Sequence, residues 1–398
     1  PEWGDIVVDY VNEIDDELEI EQISDEEAYP FITWVGEEVD EAYYKVVMGI
    51  EINPGLDKSD FKIVYSPQHG ADNIPVRTCL KRLGYDIVPV LAQCAPDPDY
   101  TNTKSPNPEV DASYELAIKL AKEVDADVVA ITDPDGDRLG VVAKHNGEYV
   151  LMSGNQSAAV YLEYILSQRK EKGTLPNNAV MYNTIVTSDL GELVARNYGV
   201  DVEKTLTGFK FIGDKIRKYE KTHEKQFIFG YEESYGCVVE DFVRDKDAVQ
   251  AVLLAAECGN YYKKQGKDLI DVLNELYAKY GTFKESQIAL AKAGAAGAAR
   301  IKEMMDTLRQ DKPTEIGGVK VVLSEDYATS ERSDGTTIDL PKSNVLKYYL
   351  EDGSWIAARP SGTEPKCKFY FSIKGKDAKD AADKTEVFHK AMMELIGE

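Results

Sequence analysis

Three aspartates alternate in Asp133-Pro134-Asp135-Gly136-Asp137, and Arg138 follows directly. Carboxylates spaced this way across a tight turn converge on one point, and like charges so close are costly without a counter-ion. A hard divalent cation with oxygen ligands relieves the crowding. So few ligands in so short a loop suit Mg²⁺, which keeps positions open for water or for phosphate oxygens. An EF-hand loop needs Gly at its sixth position and Glu at its twelfth; here Gly136 is fourth and Lys144 twelfth, which argues against that motif. A phosphatase using the first aspartate as nucleophile stays open on spacing alone, and Asp and Gly are also common in solvated turns. The apolar run Ala126–Thr132 just before the acids favours a ligand site, because ligands of α/β sheets bind at strand carboxyl ends.

Three further loops hold groups of chemical interest. In Gly230-Tyr231-Glu232-Glu233-Ser234-Tyr235-Gly236, Glu232 and Ser234 stand two apart between glycines, a pair able to accept from and donate to sugar hydroxyls; a polar turn explains the same residues. In Arg359-Pro360-Ser361-Gly362-Thr363-Glu364-Pro365-Lys366, hydroxyls, glycine-exposed N–H groups and a flanking Arg make an anion nest, with Lys366 and Lys368 close by. Thr207–Lys215 imitates a P-loop, but Asp214 follows Gly213 where Lys is required, and no GxGxxG is present, so nucleotide phosphate binding is not indicated. Lys210 in that stretch, near the start of a helix, is either an acid/base or a solvated charge. The four histidines show no metal spacing. His69 either reaches the ligand end of a sheet or caps its own loop.

The elements that must carry these loops follow from periodicity. Apolar strands are expected at 61–66, 85–90 and 126–132, with helices at 71–83 and 109–124 between them, the alternation of a largely parallel sheet covered by helices. A similar series follows: helix 155–171, strand 178–184, helix 188–197, strand 201–206, helix 209–220, strand 226–230 and helix 246–265. The two series are weakly self-similar. After a Gly/Ala-rich helix near 294–309, the runs 318–323, 345–350, 355–360 and 367–373 read as strands, with Asp352-Gly353 as a hairpin turn. An amphipathic helix over 377–396 closes the chain. The expected fold is α/β: two three-layer α/β domains with mixed sheets, plus a C-terminal α+β domain with a mainly antiparallel sheet. The expected boundaries are 1–50, 51–152, 153–280 and 281–398.

Charge separates the start from the remainder. The 398 residues have a formal net charge of −25, and residues 1–44 hold sixteen acids and no Lys or Arg. A helix over 4–16, an edge strand over 18–22 and a second helix over 37–49 are expected there, too little for a separate core. Such acidity disfavours nucleic acid and anionic membranes as partners. No apolar run approaches the ~18 residues of a membrane span, and the five scattered cysteines form no CxxC pair. Reduced thiols in a cytoplasmic protein are the expectation.

The order DPDGDR, TGFKFIG, YEESYG, RPSGTEPK, together with FVRDKDAV at 242–249, resembles the α-D-phosphohexomutase family of phosphoglucomutases and phosphomannomutases, nearest the bacterial α-phosphoglucomutase branch. The resemblance runs from about Gly36 to the end. It implies domains two, three and four of a four-domain enzyme, with an acidic remnant of the first over 1–50. It also implies that Asp133, Asp135 and Asp137 hold Mg²⁺, that Arg138 contacts the transferring phosphoryl group, and that Lys210 is the general acid/base. Glu232 and Ser234 would bind sugar hydroxyls; Arg359, Ser361, Gly362, Thr363 and Lys368 would grip the phosphate that does not react. The implied reaction is two phosphoryl transfers between a phosphoserine and glucose 1-phosphate, glucose 1,6-bisphosphate and glucose 6-phosphate. The family's T-x-S-H-N-P serine loop has no match, since neither Ser105 nor Ser153 fits. The sequence, which opens at Pro1, therefore reads as a fragment, expected to be inactive alone. The alternatives are a phosphomannomutase, a phosphopentomutase, or a non-catalytic sugar-phosphate-binding protein.

Overall fold

The structure, a computed structural model, describes residues 2–362 and 364–398. Residues up to Gly49 form one compact unit and Ile50–Glu398 another. The first unit holds α1 (Glu2–Asn12), α2 (Asp25–Ala28) and α3 (Glu37–Met48). The edge strand expected over 18–22 is absent: Glu17–Glu19 is a 3₁₀ turn, with the Asp16 side chain accepting the Leu18 N–H at 2.9 Å. An Asp able to bond the backbone two residues on competes with a strand that has no partner, and no strand lies among the described residues of this unit.

The second unit opens with β1 (Lys62–Ser66), α4 (Asn73–Leu83), β2 (Asp86–Pro89), α5 (Glu115–Val124), β3 (Val128–Thr132), β4 (Leu139–His145) and β5 (Glu148–Met152). The strand order is β2-β1-β3-β4-β5; β1 is parallel to both neighbours, and β4 and β5 run antiparallel. The helix expected from 109 begins at Glu115, behind a 3₁₀ turn at Asp111–Tyr114. Val64, Val129, Ile131 and Val142 of the sheet are buried against Ala117 and Ala121 of α5, and the small alanines let the helix approach closely. The β4–β5 hairpin was not among the expected elements. It turns on Asn146 and Gly147, both at positive φ (50° and 84°), the pair a type I′ turn demands.

The second series comprises α6 (Gly154–Glu171), β6 (Ala179–Thr184), α7 (Leu190–Asn197), β7 (Asp201–Thr205), α8 (Lys210–Thr222), β8 (Gln226–Tyr231), β9 (Cys237–Val238), α9 (Ala248–Lys263) and α10 (Leu269–Tyr280). Its sheet order, β7-β6-β8-β9, repeats that of β2-β1-β3-β4, with the last strand again antiparallel. The helix α9 is buried on almost every side, against both α/β layers; a Cβ on Gly259 would stand 2.8 Å from the Phe61 ring, so glycine permits that approach.

The C-terminal sheet is antiparallel, as expected. It contains β10 (Thr282–Ala291), β11 (Glu315–Ile316), β12 (Val319–Asp326), β13 (Glu331–Arg332), β14 (Leu346–Leu350), β15 (Trp355–Pro360) and β16 (Lys366–Gly375), packed by α11 (Gly294–Asp311) and α12 (Ala378–Leu395). The ten-residue strand β10 pairs with β16 along its whole length and closes one edge. Lys347 of β14 is wholly buried where this sheet meets the second. Its Nζ donates to the Ile185 carbonyl at 2.7 Å and lies 3.9 Å from the Trp355 ring centroid. Burial, then the charge of Lys204, hold this amine well below the ordinary lysine range. All five cysteines are buried free thiols, and no described helix is long and apolar enough to cross a membrane.

Candidate active site

The turn between β3 and β4 brings the three aspartates together: carboxylate oxygens of Asp133, Asp135 and Asp137 lie within 4.8 Å of one another. Gly136 makes the turn possible, at φ +75°, with a would-be Cβ only 2.4 Å from Asp72 Oδ1. Asp133 is buried, and its Oδ1 accepts the N–H groups of Asp137 (3.0 Å) and Arg138 (2.9 Å). Burial first, then Asp135 and Asp137, push its carboxyl well above the usual carboxylate range. Arg138 Nε stands 3.6 Å from Asp133 and 3.5 Å from Asp137, while its Nη1 donates to Glu109 at 2.9 Å. Lys246 reaches Asp137 Oδ2 at 2.6 Å. Even with these two cations the cluster is unbalanced. Asp137 Oδ1 and Asp72 Oδ2 are buried without a hydrogen-bond partner, and Asp72 is pushed up to about 7 by burial and by Asp247, Asp135 and Asp137. Converging oxygen donors with unmet acceptor capacity fit a hard divalent cation.

The loop between β8 and β9 holds the second group. Glu232 is buried and its Oε1 accepts the Gly208 N–H at 2.8 Å, tying this loop to Thr207–Lys215. Burial raises its carboxyl, partly offset by that N–H and by Lys246. Glu233 Oε2 accepts from the hydroxyls of Thr184 (3.0 Å) and Thr187 (3.3 Å). Tyr235 sits at φ 71°, an uncommon conformation for a bulky residue, and its carbonyl accepts the Leu139 N–H at 2.9 Å. That bond joins the second loop to the start of β4, directly after the aspartates. Lys210 is the exposed first residue of α8, its Nζ 5.3 Å from the Phe211 ring centroid.

The third group lies between β15 and β16. Arg359 pairs with Lys368 across the strands, so two cations share one face of the sheet. Among the described residues neither forms an ion pair with a carboxylate, nor does Lys366. Ser361 and Gly362 are exposed on the connection, where Ser361 Oγ accepts the Glu364 N–H at 3.2 Å. Thr363 lies outside the described residues.

A cleft of about 350 Å³ lies between the second and third groups, lined by Glu109, Ser153, Asn155, Ser234, Tyr235 and Lys368 among others; the aspartates of the first group do not line it. Ser234 and Lys368 thus face one space, bordered by the Glu109 that holds Arg138. Glu232 does not line it, and Glu233 does. His69, also at φ 65°, donates its Nδ1–H to the Ala95 carbonyl (2.7 Å) and ties its own loop together; its Nε2 is buried without a partner. Asp72, Glu109, Glu233 and Lys246 were not singled out from the sequence. Lys246 lies inside the FVRDKDAV stretch and carried that much signal; Asp72 has none, because it reaches the acidic loop only through the fold.

Comparison with known proteins matches three successive descriptions to this chain: "Phosphoglucomutase/phosphomannomutase, alpha/beta/alpha domain II" over 42–147, "alpha/beta/alpha domain III" over 153–280, and "C-terminal domain" over 294–388. A phosphoglucomutase of Staphylococcus haemolyticus is 36% identical over 376 residues, covering 92% of this chain and 67% of that one. The chain spans 62–69% of the lengths of curated Staphylococcus phosphoglucomutases. The exocytosis-sensitive phosphoprotein parafusin, a phosphoglucomutase from Paramecium solved in its open form, shares the fold with a TM-score of 0.66 at 18% identity, covering 90% of this chain and 63% of that one. An Aspergillus fumigatus N-acetylphosphoglucosamine mutase, in complex with GlcNAc-6P and magnesium, aligns with a TM-score of 0.52 at 14% identity, covering 89% and 65%.

Proposed function

The chain belongs to the phosphoglucomutase and phosphomannomutase family, the α-D-phosphohexomutases, and from that premise we propose that it carries the cation, sugar and phosphate sites of an enzyme interconverting glucose 1-phosphate and glucose 6-phosphate. Such an enzyme is an isomerase that works as an intramolecular phosphotransferase, through a phosphoserine and a 1,6-bisphosphate. The observation that carries the reading is the shared cleft, which Ser234 of one loop and Lys368 of another both line, beside the Glu109 that holds Arg138 of the third.

Asp133, Asp135 and Asp137 are the residues that would hold Mg²⁺, and the magnesium of the Aspergillus relative, which has the same fold, supports that choice of ion. Bound there, the ion supplies charge neutralisation next to a transferring phosphoryl group. The chain's own residues do the rest. Glu109 and the two aspartates hold the Arg138 guanidinium at the edge of the acidic turn, oriented before substrate arrives. Preorganised positive charge of this kind stabilises developing charge without reorganisation. Lys210, at the start of α8, is proposed as the acid/base that moves a proton at the sugar hydroxyl. Glu232 and Ser234 are assigned to the sugar hydroxyls, with Glu232 also fixing Gly208.

Arg359 and Lys368, with Ser361, Gly362 and Thr363, are assigned to the far phosphate. A grip there must tolerate two orientations, since the bisphosphate turns over between the two transfers. No residue of 1–398 is assigned as the serine that accepts and returns the phosphoryl group, as no Ser-His-Asn occurs among them.

Arg359→Ala tests the assignment. A hydrogen bond to a charged group is worth about 1.5–3 kcal/mol, so affinity for glucose 1-phosphate and for glucose 6-phosphate should each fall roughly ten- to a hundredfold. Calorimetric titration of both esters, with inorganic phosphate as competitor, measures this. Parent-like binding of both esters would place the phosphate site elsewhere.

A further inference from the structure

We propose that Asp72, at the residue before α4, is a fourth carboxylate of the cation site, acting from behind the acidic turn through a bound water. This rests on the reading of Asp133, Asp135 and Asp137 as cation ligands.

Asp72 is 6% exposed, and its Oδ2 has no hydrogen-bond partner. Its position invites a helix-capping role, yet the side chain makes no cap bond to α4. No ion pair of the described residues includes it, and the nearby cations Arg138 and Lys246 are engaged by Asp133, Asp137 and Glu109. Its carboxyl packs on the one residue of the turn that has no side chain: a Cβ at Gly136 would meet Asp72 Oδ1 at 2.4 Å and Oδ2 at 2.9 Å. The charges that reach it are Asp247, Asp135 and Asp137, all of its own sign.

A buried carboxylate surrounded by like charge, with one oxygen unmet, is a net loss to the fold alone. Placement against a cation site makes it useful, because each added negative charge raises the attraction for a divalent ion. The tight set of ligand oxygens comprises the three loop aspartates, and Asp72 stands outside it. Asp72 is therefore an outer partner: its free oxygen accepts from a water of the ion's shell. Outer partners of this kind commonly change metal affinity about ten- to a hundredfold. The same charge predicts a second signature. With no cation present, Asp72 adds repulsion, so neutralising it stabilises the apo chain. With the cation present, that gain disappears.

The test is Mg²⁺ titration by calorimetry at pH 8 of the parent, Asp72→Asn and Asp135→Asn, with thermal melts of each in EDTA and in Mg²⁺. Asn keeps the shape of the side chain and is an equally good residue before a helix. The expected result is roughly tenfold weaker Mg²⁺ binding by Asp72→Asn, a melting temperature in EDTA above the parent's, and a smaller rise on adding Mg²⁺. Asp135→Asn should lose measurable binding. If Asp135→Asn loses the ion while Asp72→Asn binds it as the parent does, the proposal for Asp72 fails and the cation site stands. A lower melting temperature of Asp72→Asn in EDTA makes the carboxylate structural and also overturns the proposal. If Asp135→Asn binds like the parent, the cation site itself is refuted and Asp72 with it.

Discussion

The turn at 133–138 and the turn at 232–236 occupy the same place in two sheets of the same order. Each follows the last of three parallel strands, β3 or β8, and leads into an antiparallel neighbour, β4 or β9. Their electrostatics are opposed. The first concentrates aspartates until burial and mutual repulsion raise Asp133 and Asp72 and leave acceptor oxygens unmet. The second sets two glutamates side by side, and burial raises both, but each is satisfied: Glu232 on the Gly208 N–H, Glu233 on two threonine hydroxyls. Topology therefore determines where ligand groups gather, at the carboxyl ends of the strands. The side chains determine whether the acids gathered there are left unmet or are satisfied by hydrogen bonds. The Leu139–Tyr235 bond then sets the two kinds of site side by side.

The largest effect expected from this contrast is on cation-dependent stability. Mg²⁺ at about a hundred times its Kd should stabilise the chain by about 2.7 kcal/mol. Asp137→Asn should abolish that gain and Glu232→Gln should keep it, as read from urea unfolding with and without EDTA. Equal losses in both variants would erase the distinction between the turns.

Next comes the backbone. Gly136→Ala places a Cβ in the left-handed region, at about 1–2 kcal/mol, and drives it towards the Asp72 carboxyl. Gly236 is not at positive φ, and its would-be Cβ meets the stem of Lys246, whose amine Asp137 holds, so that side chain must shift. Gly236→Ala should cost less folding free energy than Gly136→Ala in the same unfolding experiment. The reverse order would show that the second turn is the more tightly constrained.

The smallest effect concerns pH. The Glu232 carboxyl is raised above its ordinary 4.5 chiefly by burial, so the folded chain holds that proton to higher pH than the unfolded chain does. Between those two pKa values the native state binds more protons, and the stability contributed by the group falls as pH rises. Glu232→Gln removes the titration. Its stability relative to the parent should climb as pH is raised from just above 4 and then level off, as measured by melts at a series of pH values. A flat difference would mean that the Gly208 N–H fully offsets the burial.

Much of this was legible residue by residue. The alternation of the three aspartates after an apolar run located the first turn, and the order of the four loops supplied the family. The repeat of the two α/β series was visible, and so was the hairpin on Asp352-Gly353, where Gly353 sits at φ 86°. Two elements outside the expected set carry signals of their own. Asn146-Gly147 is a strong hairpin dipeptide between β4 and β5. In α10, Asp268 caps a run with Leu269, Ile270, Val272, Leu273 and Leu276 on its buried side. Strand β10 was harder: one of its ten residues is fully buried, so its sequence mixes charged and apolar residues, and full-length pairing with β16 holds it in place instead. The strand imagined over 18–22 failed because alternation is meaningful only where a partner strand exists.

What the sequence determined by itself is local: turn chemistry, helix caps, apolar periodicity and the concentration of acids or cations within a few residues. These follow from short-range sterics and charge spacing, which do not depend on the rest of the chain. Only the tertiary structure decided what stands opposite each loop. Asp72 comes against Gly136, Lys246 against Asp137 and Glu109 against Arg138 because separate elements meet there. In the same way Lys347, which reads as an ordinary strand lysine, is buried between two sheets with its amine on the Ile185 carbonyl. Burial and long-range pairing set how strongly a charge is felt, and both belong to the packed chain rather than to any segment of it.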